Sequence, residues 1–308
     1  MVLIRPNRKS PPHQDKGSER RAPRSMALFL ALVFLCTGQA IDAVDCSLSG
    51  TLKNMRGCRL VGVNLSGADL NGANLSGADL RRAKLMAAGL LNANLSGANL
   101  QNSKLDEATL TGANLRKARL GGGDLSGAIL NKTDLQGADL SRANLQKARL
   151  VGANLQGAQL VRGNLLGADL SGATLRAADL EGANVVGARL RGAELSSANL
   201  SGTVFAESDL SGAKLVGAGL FGADFRGAIL DDADLSATTC FGADFSGAFL
   251  VNTILKDTRG LNQGQLDSAV VSEGTKPPKG LQLKLSERKS KSIQRGTSKI
   301  KVYLPLVK

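Results

Sequence analysis

Ala68-Asp69-Leu70-Asn71-Gly72, Ala73-Asn74-Leu75-Ser76-Gly77, Ala78-Asp79-Leu80: this stretch repeats every five residues, and the repeat runs on in both directions without an insertion. From Leu60 to Leu255 every fifth residue is large and apolar. Of these 40 positions 35 are Leu, and Val185, Phe205, Phe225, Cys240 and Phe245 fill the rest. Two residues earlier, 30 of the 40 are Ala. Asn or Asp commonly precedes the Leu, and Gly commonly follows it by two.

A five-residue period fits neither regular element. On an α-helix it turns by about 140° per step, so the Leu would spiral round the surface. On a flat strand an odd period sends successive Leu to opposite faces. The pattern buries its Leu and Ala together only if the chain turns a corner in every block. Gly, Asn and Asp are the residues that tolerate such corners. The chain is therefore expected to be a β-solenoid, all-β, with backbones stacked at the strand spacing of about 4.8 Å. Aromatic placement sets the coil length. Phe205, Phe225 and Phe245 lie 20 apart at the Leu position, and Phe221 and Phe241 lie 20 apart one residue later. Stacking like on like puts four blocks in a coil.

The A-(D/N)-L-x-x tandem closely resembles the pentapeptide-repeat family over residues 56–255. The resemblance implies a right-handed, four-sided β-helix. Forty blocks then make about ten coils, a rod about 48 Å long. No Phe stands at the centre position before Phe205, so the N-terminal coils should have an aliphatic, slightly looser core.

Outside the array, residues 1–25 are polar and basic, and the ten apolar residues Met26–Leu35 lead to Gly38-Gln39-Ala40 and Ala43. This is the layout of a secretory signal, 1–43, cleaved after Ala40 or Ala43. The apolar run is too short for a bilayer span of about 20 residues, and an uncleaved anchor through 26–44 is the alternative. Arg20-Arg21 is a poor twin-arginine signal, Cys36 lacks the small residues a lipidation site needs, and either Met1 or Met26 serves as the start. Residues 44–58 are expected to cap the first coil, with Cys46 and Cys58 closing a disulfide in an oxidising compartment and two free thiols as the alternative. Cys240, at a Leu position, reads as core. After Leu255 the period stops. Asn262 with Gln265 three residues on fits a helix N-cap, opening a short helix to about Val271. The stretch Gly260–Leu281 resembles the tail following many exported cyanobacterial arrays of this family, and 256–281 is read as the C-cap. Residues 282–308 carry eight Lys or Arg against Glu287 alone. They are read as a disordered solvated tail, with a tether to an anionic membrane or polyanion as the alternative.

The net charge of +13 invites a nucleic-acid reading, but it sits in the tails: +5 in 1–58, zero in 59–255 (18 of each sign) and +8 in 256–308. No nucleic acid is expected on the rod. The sole His, His13, lies in the leader, and no Cys/His cluster has metal-ligand spacing, so no catalytic residue, cofactor or metal is expected. Asn-x-Ser triplets such as Asn64-Leu65-Ser66 are by-products of the repeat. Some members of the family resemble a DNA duplex and bind DNA gyrase, which demands a strongly acidic cytoplasmic rod; this one is neutral and carries an export signal. The expected role is a structural or protein-interaction solenoid, monomer or dimer, in periplasm or thylakoid lumen. Its partner is unnamed.

Overall fold

Each five-residue block turns one corner by the same hydrogen bond. The N–H of Ala73 donates to the carbonyl of Leu70 at 3.0 Å, and Gly72, third of the four residues, sits at φ 67. Positive φ at that place is what a type II turn requires. The same geometry recurs in the computed structural model, which describes residues 54–295 and 298–306, all within the unit Ile41–Lys308. From Gly57 to Asp257 every fifth residue has positive φ, usually Gly. Asn and Asp share the position as expected, but so do Arg82, Ala87, Lys132 and Glu207. Each non-glycine there stores about 1–2 kcal/mol, which the packing on both sides must offset.

The Asn or Asp before each Leu has a local duty. Its side-chain oxygen accepts the N–H of the residue two further on: Asn74 Oδ1 from Ser76, Asp139 Oδ1 from Ser141, Asp234 Oδ1 from Ser236. This Asx turn steers the chain into the corner, which is why the repeat favours these residues there.

Between corners the chain is extended and pairs with the coils above and below. Leu75 N–H donates to Asn94 O at 2.6 Å, and Asp79 N–H donates to Cys58 O at 2.8 Å. Every isolated ladder contact from Asn54–Asn74 to Thr239–Arg259 is parallel and joins residues 20 apart. Four corners per 20-residue coil make a four-sided section. We number the walls by their outward columns: first through Asn54, second through Arg59, third through Asn64, fourth through Asp69.

The Leu and Ala columns fill the interior, and from Ala73 to Leu235 they are essentially sealed from solvent. Each buried Leu contributes roughly 1.5–3 kcal/mol. Where a hydroxyl replaces the Ala, it donates to the backbone instead of standing orphaned: Thr133 Oγ1 to Leu110 O, Thr203 Oγ1 to Leu180 O, Ser208 Oγ to Phe205 O. Phe205 and Phe225 stack with ring centroids 5.0 Å apart and planes 5° from parallel, and Phe225 and Phe245 at 5.2 Å and 3°.

At the C-terminal end a strand β1 (Phe249–Leu250) continues the fourth wall, and helix α1 (Gln263–Asp267) opens on the expected reciprocal cap between Asn262 and Gln265. The helix is shorter than expected. Ser268 ends it, because Ala269-Val270-Val271 return to the ladder: Gly247 N–H donates to Ser268 O, and β2 (Val270–Val271) pairs parallel with β1. The β-branched pair is worth more in the wall than in a further helical turn.

The described residues of 282–308 differ from the sequence expectation of a disordered tail. They form a 3₁₀ turn (Leu285–Glu287) and an antiparallel hairpin of β3 (Ser290–Arg295) and β4 (Ser298–Tyr303). The sheet order is β1-β2-β4-β3. Two interactions oppose solvation of this segment. Ile293, Ile300 and Val302 pack with Phe249, Val251 and Val270 on the outer surface of the fourth wall. The side chain of Arg288 is buried and donates to the carbonyls of Leu283, Ala269, Leu304 and Leu266.

Candidate interaction walls

Three residue sets singled out in the sequence fall in different places. Phe205, Phe225 and Phe245 form one stacked column inside the last coils. Phe221 and Phe241, 20 apart like them, stand on an outer corner instead, 64 % and 53 % exposed. Cys58 is buried at the alanine position and is disulfide-bonded; Cys46, the partner expected for it, lies outside the described residues. Cys240 is a free thiol in the core, its pKa pushed up by burial against a smaller opposing hydrogen bond with Thr238. The predicted signal sequence also lies outside the described residues.

Some of the charged side chains of the walls pair with one another. Arg81 lies on Asp79 and Arg226 on Asp224, and hydrogen bonds from these guanidiniums hold both carboxyls below the usual range. Glu194 is held low by Lys214 and then Arg176. Amides form ladders of their own: Asn144 donates to Asp124, Asn164 to Asn144 and Asn184 to Asn164 along the third wall, at 3.0–3.3 Å. One carboxyl behaves differently. Asp231, buried under the hairpin tip, has its pKa raised, burial outweighing its ion pair with Arg295. The Arg295 guanidinium lies 5.0 Å from the centroid of Phe249, so the tip is held by charge and ring together. The hairpin's anchoring pair was not legible beforehand, since nothing local links two residues 64 apart.

Chemically, these groups are spent on turns, ladders and ion pairs. A shallow groove of about 470 Å³ on the first wall, lined by Arg56, Asn74, Ser76, Gly77, Asn94 and Ser96, lacks any acid, histidine or thiol. Among the described residues no His/Cys/Asp/Glu group is placed to hold a metal, and no helix is long and apolar enough to cross a membrane.

Square coils, corners at positive φ and a Leu/Ala interior define a quadrilateral β-helix. The family model for pentapeptide repeats matches residues 54–85 and then 93–257 in overlapping segments, eight copies in all. The chain belongs to the pentapeptide repeat family, and the right-handed quadrilateral β-helix is that family's fold. Solved structures similar to it include HetL, a pentapeptide repeat protein involved in heterocyst differentiation regulation from the cyanobacterium Nostoc sp. strain PCC 7120. It is 34 % identical, over 64 % of this chain and 88 % of HetL, with a TM-score of 0.32. QnrB1, a plasmid-mediated fluoroquinolone resistance protein, is 20 % identical over 67 % of this chain and 90 % of its own, with a TM-score of 0.31. A pentapeptide repeat protein from the Arabidopsis thaliana thylakoid lumen is 35 % identical over 31 % and 63 %, with a TM-score of 0.19. No curated protein sequence matches the chain.

Proposed function

We propose that the chain is a non-enzymatic interaction rod of an exported compartment, periplasm or thylakoid lumen. Its body is about ten coils, closed at the C-terminal end by α1 and the β3–β4 hairpin. The observation that carries this reading is the commitment of the wall polar groups. The Asp and Asn side chains accept hydrogen bonds from their own corners, so their abundance reflects turn chemistry. Catalysis needs titratable groups converging in a pocket, whereas these lie in flat columns, as suits contact with another macromolecule. The export part of the proposal rests on the basic and apolar order of residues 1–43.

Charge argues against mimicry of a nucleic acid by this rod. Residues 59–255 are neutral overall, and the carboxylates of Asp79, Asp224 and Glu194 carry Arg or Lys partners. Exposed Lys289, Lys291, Lys299 and Lys301 on the hairpin and just before it leave the tether reading a physical basis, now as an ordered basic surface.

The test is capture from the exported fraction of the native host with the purified rod as bait. A specific protein recovered by the parent, and lost when wall residues are changed without loss of folding, supports the proposal. Turnover of a small molecule by the purified rod, or inhibition of gyrase supercoiling at micromolar concentration, contradicts it.

A further inference from the structure

Phe221 and Phe241 are the two most exposed large apolar side chains among the described residues, and their surroundings are as unusual as their exposure. Across three coils of the second wall, the outward column reads Asn199, Gly219, Thr239. Both flanking corners, 196–197, 216–217 and 236–237 on one side and 201–202, 221–222 and 241–242 on the other, hold no charged residue. Over the whole chain 21 % of residues are charged. Gly219 leaves the centre of the wall flat, with open space where a side chain would stand. Val216, 36 % exposed, borders it opposite Phe221. The Phe241 ring is held in place: a Cβ on Gly260 would lie 2.5–2.7 Å from its atoms, so the ring rests over the bare Cα of Gly260.

We propose that this uncharged stretch of the second wall is a self-association surface, on which a second copy of the chain docks with its axis antiparallel. The hairpin lies over the opposite, fourth wall, so it leaves this one clear. The rims of the patch select the occupant and the direction. On the N-terminal side stand Asp179 and Glu181, while the neighbouring cation, Arg176, is turned to Glu194. On the C-terminal side stand Arg259 and Lys256, the latter 4.0 Å from Asp257. Parallel copies related by a two-fold axis would set Asp179 on Asp179 and Arg259 on Arg259. An antiparallel two-fold axis between the levels of Gly219 and Thr239 sets Phe221 of one copy against Phe241 of the other. It also sets Arg259 of each copy opposite Asn199 of the other, one coil from the acidic rim at Asp179. Such isologous pairing is self-complementary by construction.

Size fixes the strength. Five coils of one wall are about 24 Å tall and three extended residues, about 10 Å, wide, a face of roughly 240 Å² and far short of the roughly 800 Å² per partner of a stable complex. The dimer is therefore weak and concentration-dependent.

Sedimentation equilibrium of the purified chain tests the inference. A monomer–dimer equilibrium with a midpoint of about 10–500 μM is expected. It should be lost in a chain carrying Phe221→Asp and Phe241→Asp whose melting temperature stays close to the parent's, both positions being on the surface. For direction, a chain with Phe221→Cys is mixed with one carrying Phe241→Cys and treated with a short bis-maleimide. The mixed dimer should form, while the parent under the same treatment should not cross-link. A chain that stays monomeric to 500 μM, or a dimer that survives both aspartates, overturns the proposal. So does a patch that binds only a foreign protein.

Discussion

At the scale of the residue, the corner governs what can be changed. Gly157 has φ 63 and nothing within 4 Å of the place a Cβ would occupy. Gly157→Ala should therefore cost about 1 kcal/mol through backbone conformation alone. The reverse change at Ala177, which already sits at φ 53, should gain about 0.5–1 kcal/mol as strain relief exceeds the entropy glycine adds to the unfolded chain. Urea denaturation of both variants checks the pair, and a stabilising Gly157→Ala would contradict the corner geometry. Asp231 offers a pH test. Its folded pKa is raised above 3.8 by burial, so the folded state holds its proton more tightly than the unfolded one. Its contribution to stability is present at low pH and lost as pH rises from 3.8 through the raised value. Asp231→Asn should thus gain on the parent between pH 3.5 and 7 in thermal melts. If the parent gained instead, the ion pair with Arg295 would outweigh burial.

At the scale of the element, most of the architecture could be read in advance, because each block carries its own instructions. Leu75 and Ala73 mark the interior, Asn74 the Asx turn and Gly77 the corner; the 20-residue spacing of Phe205, Phe225 and Phe245 supplied the coil. The hairpin could not be read this way. Ile293, Ile300 and Val302 are sparse among lysines, and their partners Phe249 and Val251 belong to a wall whose outward positions are usually polar. An apolar outward pair on the last coil was the available signal that something covers it. Arg288 holds that cover in place. Arg288→Ala leaves the carbonyl of Ala269 without its side-chain donor, while Leu266 O keeps a backbone N–H, a loss of roughly 1–3 kcal/mol for the unsatisfied group. Because solenoid coils depend on their neighbours alone, the rod should stay folded while the hairpin loosens. Limited trypsin digestion should cut within 284–301 much faster in the variant, with the 59–255 core intact. Equal rates would show that Arg288 does not anchor the hairpin.

At the scale of the whole molecule, interaction and self-pairing both depend on which residues share a wall, hence on the 20-residue coil. Export has its own check: mass spectrometry of the protein from its native host should find an N-terminus near Ile41 or Val44, and intact residues 1–40 in a soluble fraction would contradict it. The coil itself is tested most directly by a double-mutant cycle on the stacked rings. Each Phe→Ala change opens a core cavity costing roughly 3–5 kcal/mol. Phe225, with a ring at 5.0 Å on one side and 5.2 Å on the other, should be the costliest. Phe205→Ala with Phe225→Ala should depart from additivity by about 0.5–1.5 kcal/mol. Phe205→Ala with Phe245→Ala, two coils apart, should add to within about 0.5 kcal/mol. Strong coupling between Phe205 and Phe245 with none through Phe225 would contradict the 20-residue coil and every wall drawn from it.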